Sequence, residues 1–261
     1  DSASHSVGGL RFGPDGKLYA TFGEGANFDY ADPYAMRAQD LDSLGGKMIR
    51  INTDGTAPAD NPFYNGSSTA NRSKVWVYGL RNDFRFNFRA STGSLFSGDV
   101  GWSSWEEVNK IVAGGNYGWP CYEGVDKRAE FNCNVVGMKT PLYSYAHDVN
   151  GAGSVTAGAF GSAYPAAYQN SLFIGDYAQN WIKRVVLDAN ENFVSVQDFM
   201  SAADGSDGPV DITAGPDGNV YFLSIYTGEL KRILYTTGNR QPIAVMSATP
   251  TSGSLPLSVT F

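Results

Sequence analysis

The sequence is poor in the side chains that most chemistry uses. Only 17% of its 261 residues are charged, and it holds two cysteines and two histidines. No basic run appears and the formal net charge is −7, which excludes nucleic acid as a partner. No apolar stretch approaches the roughly 20 residues that a membrane-spanning helix needs, so no span is expected. Cys121 and Cys133 have no histidine nearby, which disfavours zinc. They suit a disulfide closing a loop, and such a bridge points to an oxidising, exported location; two buried free thiols are the alternative. What is abundant is glycine, 31 residues, with aromatics at 13%. That mixture predicts an all-β protein with many tight turns and argues against a helical bundle.

Short antiparallel units recur along the chain. Leu10 and Phe12 alternate, Gly13-Pro14-Asp15-Gly16 supplies a turn, and Leu18-Tyr19-Ala20-Thr21-Phe22 returns. The pattern comes back around Gly215-Pro216-Asp217-Gly218 and, more weakly, over Phe84 to Phe96 and from Ala166-Tyr168 to Asp176. Third strands are predicted over 47–51, 181–186 and 230–234. Repetition of this kind predicts a propeller, each unit being one blade. Long loops, 24–46 and 53–74, interrupt it, and loops of that length are usually functional or wrap a rim.

The densest stretch runs from Gly79 to Pro120. It holds Leu80-Arg81-Asn82, then Gly98-Asp99-Val100-Gly101-Trp102, Trp105-Glu106-Glu107-Val108-Asn109 and Gly115-Asn116-Tyr117-Gly118-Trp119-Pro120. Glycines beside carboxylates leave backbone carbonyls open, and carbonyls with carboxylates are ligands for a hard cation such as calcium. An ordinary turn with a solvated glutamate pair is the plain alternative for any single piece.

Together with His5 and the Gly13–Gly16 turn, these motifs resemble the soluble glucose/sorbosone dehydrogenases, over about residues 5 to 235. That family's members are six-bladed β-propeller quinoproteins using pyrroloquinoline quinone (PQQ). The resemblance implies that His5 is the catalytic base, since an imidazole titrating near neutrality suits removal of a sugar hydroxyl proton. It implies cofactor contacts from Arg81, Asn82 and Glu24, the last at the same rim as His5. It also implies a catalytic calcium on the carbonyls of Gly101 and Trp102, and a structural calcium on Glu107 and the main-chain oxygen of Tyr117. His147 has no counterpart and is expected at the rim. About four units are visible where the family has six, so the chain is expected to be a fragment lacking N-terminal blades.

Other positions depart from the pattern. Ser4 stands where many members have Asp. Ala178, Gly208 and Val210 fall where the well-studied glucose oxidisers hold the PQQ carboxylates with a lysine and two arginines. Each lost charge-assisted contact is worth ~1.5–3 kcal/mol, which puts PQQ binding in question. Lys183 or Arg184 would have to reach in from another angle.

The expected organisation is a partial propeller over 1–236, a linker over 237–241, and over 242–261 the start of a PKD-type β-sandwich, or else a docked tail. The expected function is exported, PQQ- and calcium-dependent oxidation of a sugar or polysaccharide-derived substrate, with an electron acceptor the sequence does not name. The alternative is a non-catalytic propeller that binds carbohydrate or protein, as the hedgehog-interacting relatives do.

Overall fold

A computed structural model describes residues 4–236. The expected linker and PKD-type segment lie outside the described residues. The chain divides into two compact units at Gly158/Ala159.

The first unit contains two four-stranded antiparallel sheets. One has the order β1 (Val7–Phe12), β2 (Leu18–Phe22), β3 (Lys47–Ile51), β4 (Val75–Tyr78). Between β2 and β3 lies a 3-10 turn, Pro33–Gln39, started by Pro33 and capped by the Asp32 carboxylate on the Tyr34 amide. A four-residue helix, α1 (Asn71–Lys74), leads into β4. The other sheet joins β5 (Asp83–Phe88), β6 (Leu95–Asp99) and β7 (Trp105–Ile111). A two-stranded hairpin, β8 (Tyr122–Glu123) and β9 (Asp126–Lys127), intervenes before β10 (Tyr143–Ala146) completes this sheet beside β7. The short β11 (Val155–Thr156) ends the unit. One apolar cluster, including Met48, Val77, Leu80, Phe86, Leu95 and Tyr117, fills the space between the two sheets. Cys121 and Cys133 form a disulfide.

The second unit follows the same plan. After a helical turn, α2 (Ala166–Gln169), come β12 (Ser171–Asp176), β13 (Trp181–Leu187) and β14 (Phe193–Met200) in antiparallel order. A further sheet holds β15 (Pro209–Ala214), β16 (Val220–Ser224) and β17 (Leu230–Ile233). Phe173, Ile182, Met200, Ile212, Phe222 and Ile233 share its core.

The recurring turn proves to be a repeated device. Asp15 Oδ1 accepts the Lys17 amide, while Oδ2 accepts the Tyr19 hydroxyl and Arg50 Nε from the third strand. Asp217 does the same with the Asn219 amide, the Tyr221 hydroxyl and Arg232. A turn aspartate thus ties three strands of one sheet together in both units.

Two expectations need correction. The segment Ala166–Gln169 is helical, because Pro165 starts a turn that the Tyr168 amide closes on the Pro165 carbonyl. Glu106 and Glu107 are no solvated pair in a turn: both lie within strand β7, buried, and pleating sends them to opposite faces.

Candidate active site

Glycine lets the first site element form. The Gly23 backbone approaches His5 so closely that a Cβ there would stand 2.3 Å from the His5 carbonyl oxygen. Gly25 takes φ +69°, a conformation favoured by glycine. Glu24 between them is only 1% exposed. Its amide donates to the Arg81 carbonyl at 2.8 Å, and its Oε1 lies 2.6 Å from His5 Nδ1. Glu24 Oε2 is buried without a protein hydrogen-bond partner among the described residues. His5 holds φ 54°, a left-handed conformation rare outside glycine. A carboxylate engaged at Nδ1 leaves Nε2 as the ring nitrogen available for proton exchange.

Arg81 is the buried cation beside this pair. Asp99 accepts its amide at 2.9 Å and that of Asn82 at 2.6 Å, fixing the backbone that carries both side chains. The Arg81 guanidinium lies over the Trp119 ring, 5.5 Å from its centroid, and donates to the carbonyls of Val100 and Gly101. Burial pushes its pKa down, opposed by Glu24, Asp99, Glu106 and Glu123. Trp102, Trp119 and Phe131 meet edge to face, with centroids 5.6–6.2 Å apart. Trp102 Nε1 donates to the Phe28 carbonyl at 2.7 Å, and the Phe28 ring stands 6.5 Å from His5. Glu24, Arg81, Trp102 and Trp119 line one cleft. The structure therefore brings His5, Glu24, Arg81 and the Gly101–Trp102 loop together.

That loop has its amides taken up by two buried carboxylates. Glu106 Oε1 accepts the Gly101 amide at 3.2 Å and meets His147 Nε2 at 2.8 Å, while Oε2 accepts the Val155 amide. Glu123 Oε1 accepts four consecutive amides, Trp102 to Trp105, at 2.7–3.2 Å, and its Oε2 pairs with Arg128 at 2.9 Å. His147 is thus no rim residue: its side chain is 7% exposed, and the hydrogen bond to Glu106 raises its pKa.

Glu107 and Tyr117 engage different partners. Glu107 accepts the Gly124 amide at 2.6 Å and Asn109 Nδ2 at 3.2 Å. The Tyr117 ring lies in the core, and its hydroxyl donates to the Lys110 carbonyl. Register places Asp83, Asp99 and Glu107 side by side across β5, β6 and β7. Burial raises all three carboxyls, Asp99 to about 7, and Asp99 also raises the other two.

The donor set decides which groups fit. Among the described residues no cluster of three or more His, Cys, Asp or Glu is placed to hold a metal. The Gly101 and Trp102 carbonyls are hard oxygen donors of the kind a hard cation takes, and a cation there would have to displace the Arg81 guanidinium from the Gly101 oxygen. In the cleft the Arg81 guanidinium stands among the Trp102, Trp119 and Phe131 rings. The second unit's Lys183 and Arg184 are engaged where they stand. Lys183 pairs with Asp198 over Trp181, and Arg184 bonds Ser171 and Gln197 over Tyr168. Both are committed within their own sheet.

Sequence reasoning missed Glu106, Glu123, Arg128 and Trp119 as site residues. Glu106 and Trp119 lay inside quoted motifs. Glu123 and Arg128 come from a hairpin with no motif of its own.

The sequence profile of the Glucose / Sorbosone dehydrogenase family matches residues 1–232. The HIPL1 protein of Arabidopsis thaliana is 36% identical over 185 residues, covering 60% of this chain and 26% of that protein. Quinoprotein glucose dehydrogenase B of Acinetobacter calcoaceticus is 32% identical over 195 residues, covering 70% of this chain and 33% of that protein. A solved glucose dehydrogenase superposes with a TM-score of 0.73 at 28% identity, covering 89% of this chain and 64% of that one. The chain spans less than two thirds of each of these relatives. The fold class is the all-β propeller type of these dehydrogenases.

Proposed function

The chain belongs to the glucose/sorbosone dehydrogenase family, and from that membership we propose that it oxidises sugars beside His5, at the cleft that Glu24 and Arg81 line. The observation that carries this reading is the His5–Glu24 pair, whose carboxylate lines a cleft with the buried Arg81 guanidinium. Glu24 holds the imidazole through Nδ1, and His5 Nε2 takes the proton of the sugar hydroxyl. Arg81 and Asn82 would contact the cofactor, and the Gly101 and Trp102 carbonyls would hold calcium. Glu107 and the Tyr117 main-chain oxygen are kept as a second calcium position. PQQ, when bound, supplies the two-electron acceptor. The disulfide supports an exported location.

A second reading has one observation in its favour. Ala178, Gly208 and Val210 carry no charge, so a propeller that binds carbohydrate or protein without PQQ accounts for them. Equilibrium titration of the intact protein with PQQ, with and without calcium, separates the two. Calcium-dependent uptake supports the dehydrogenase. No uptake at millimolar PQQ leaves the binding reading.

A further inference from the structure

Four consecutive amides converging on one carboxylate oxygen have a geometric consequence. In a trans peptide the N–H and C=O of one plane point in opposite directions. The Trp102 amide shares its plane with the Gly101 carbonyl, and the Ser103 amide with the Trp102 carbonyl. Pinning these two amides on Glu123 Oε1, at 2.7 and 2.8 Å, turns both carbonyls away from Glu123. The Arg81 guanidinium meets the Gly101 carbonyl, as that direction requires. Ser104 and Trp105, also bound to Oε1, stop the loop from rotating as a unit.

Glu123 is itself held firmly. It is 1% exposed, and its Oε2 accepts Arg128 Nη1. Arg128 also reaches the Ser103 and Ser104 hydroxyls and lies over the Trp102 ring at 4.8 Å. The next residue, Gly124, donates its amide to Glu107. A Cβ at Gly101 would stand 1.7 Å from the Trp105 carbonyl oxygen, so the loop closes this tightly only with glycine there. A buried carboxylate with five charge-assisted hydrogen bonds organises a segment that has no ladder of its own.

We propose that Glu123 is a positioning residue that aims the Gly101 and Trp102 carbonyl oxygens at one divalent cation. The proposal rests on the reading that these carbonyls take a cation. A preset pair costs the cation no loop ordering on binding, and supporting groups of this kind are worth about 10–100-fold in metal affinity. Glutamine at this position keeps the shape but accepts amides more weakly and sets an NH2 group against Arg128.

The test is a terbium titration of the intact protein, read as luminescence excited through tryptophan, with calcium competition. The Trp102→Phe variant assigns the signal to this loop. Glu123→Gln is expected to bind terbium and calcium about 10–100-fold more weakly while still unfolding in one cooperative transition. Parent-like affinity in Glu123→Gln overturns the positioning role and leaves the cation reading standing. No Trp102-dependent signal in the parent removes the cation reading, and the proposal with it. Should the variant fail to fold, hydrogen exchange on the parent decides. The amides of residues 102–105 are expected to be protected as a block, and free exchange there overturns the proposal.

Discussion

Glu24 Oε1 lies 2.6 Å from His5 Nδ1, joining a residue before the first strand to one just after the second. This contact gives His5 a fixed ring orientation. Replacing Glu24 by Gln weakens a hydrogen bond to a charged partner, worth about 1.5–3 kcal/mol. Turnover in steady-state kinetics should then fall about 10–100-fold with little change in KM. A parent-like kcat would show that the carboxylate does not orient the base.

The His147–Glu106 pair makes stability depend on pH. Its hydrogen bond to Glu106 raises the His147 pKa above 6.5. The pair's contribution is therefore complete below pH 6.5 and is lost as pH rises through the raised folded value. In urea unfolding, the stability gap between the parent and His147→Gln should be larger at pH 5.5 than at pH 8.5. An equal gap at both would contradict this account.

Phe86 is 1% exposed and belongs to the core shared by the two sheets of the first unit. Phe86→Ala should cost about 3–5 kcal/mol, measured by chemical denaturation. A loss below about 1 kcal/mol would mean that this cluster does not hold the sheets together.

The Cys121–Cys133 bridge closes the loop from which Glu123 and Arg128 reach the site. The double Cys121→Ser, Cys133→Ser variant should lose about 3 kcal/mol of stability. Cation affinity at Gly101 should fall with it. Unchanged affinity would mean that the hairpin holds its place without the bridge.

Much of this was legible in the chain. The repeated Gly-Pro-Asp-Gly turns marked the sheets because each aspartate collects an amide, a tyrosine and an arginine at fixed offsets. His5, Glu24, Arg81 and the Gly101 loop were legible through motif resemblance, and the structure brings them together. What stayed hidden depends on long-range contact. His147 looked like a loop residue because Glu106, 41 positions earlier, is invisible as its partner in a linear pattern. Glu123 reads as one acidic residue in a short hairpin, and only folding carries the 102–105 amides onto it. The adjacent Glu106 and Glu107 looked like one pair because the strand that separates their faces begins one residue earlier, at Trp105.

The account rests on His5 acting as the base for sugar oxidation. The direct measurement is aldose-dependent dye reduction by the intact protein supplied with PQQ and calcium, comparing the parent with His5→Ala. The parent should turn over, and the variant should be about 100–10,000-fold slower while keeping its terbium affinity. Equal rates in the two proteins, or no reduction by the parent with any of a broad aldose panel, would contradict it.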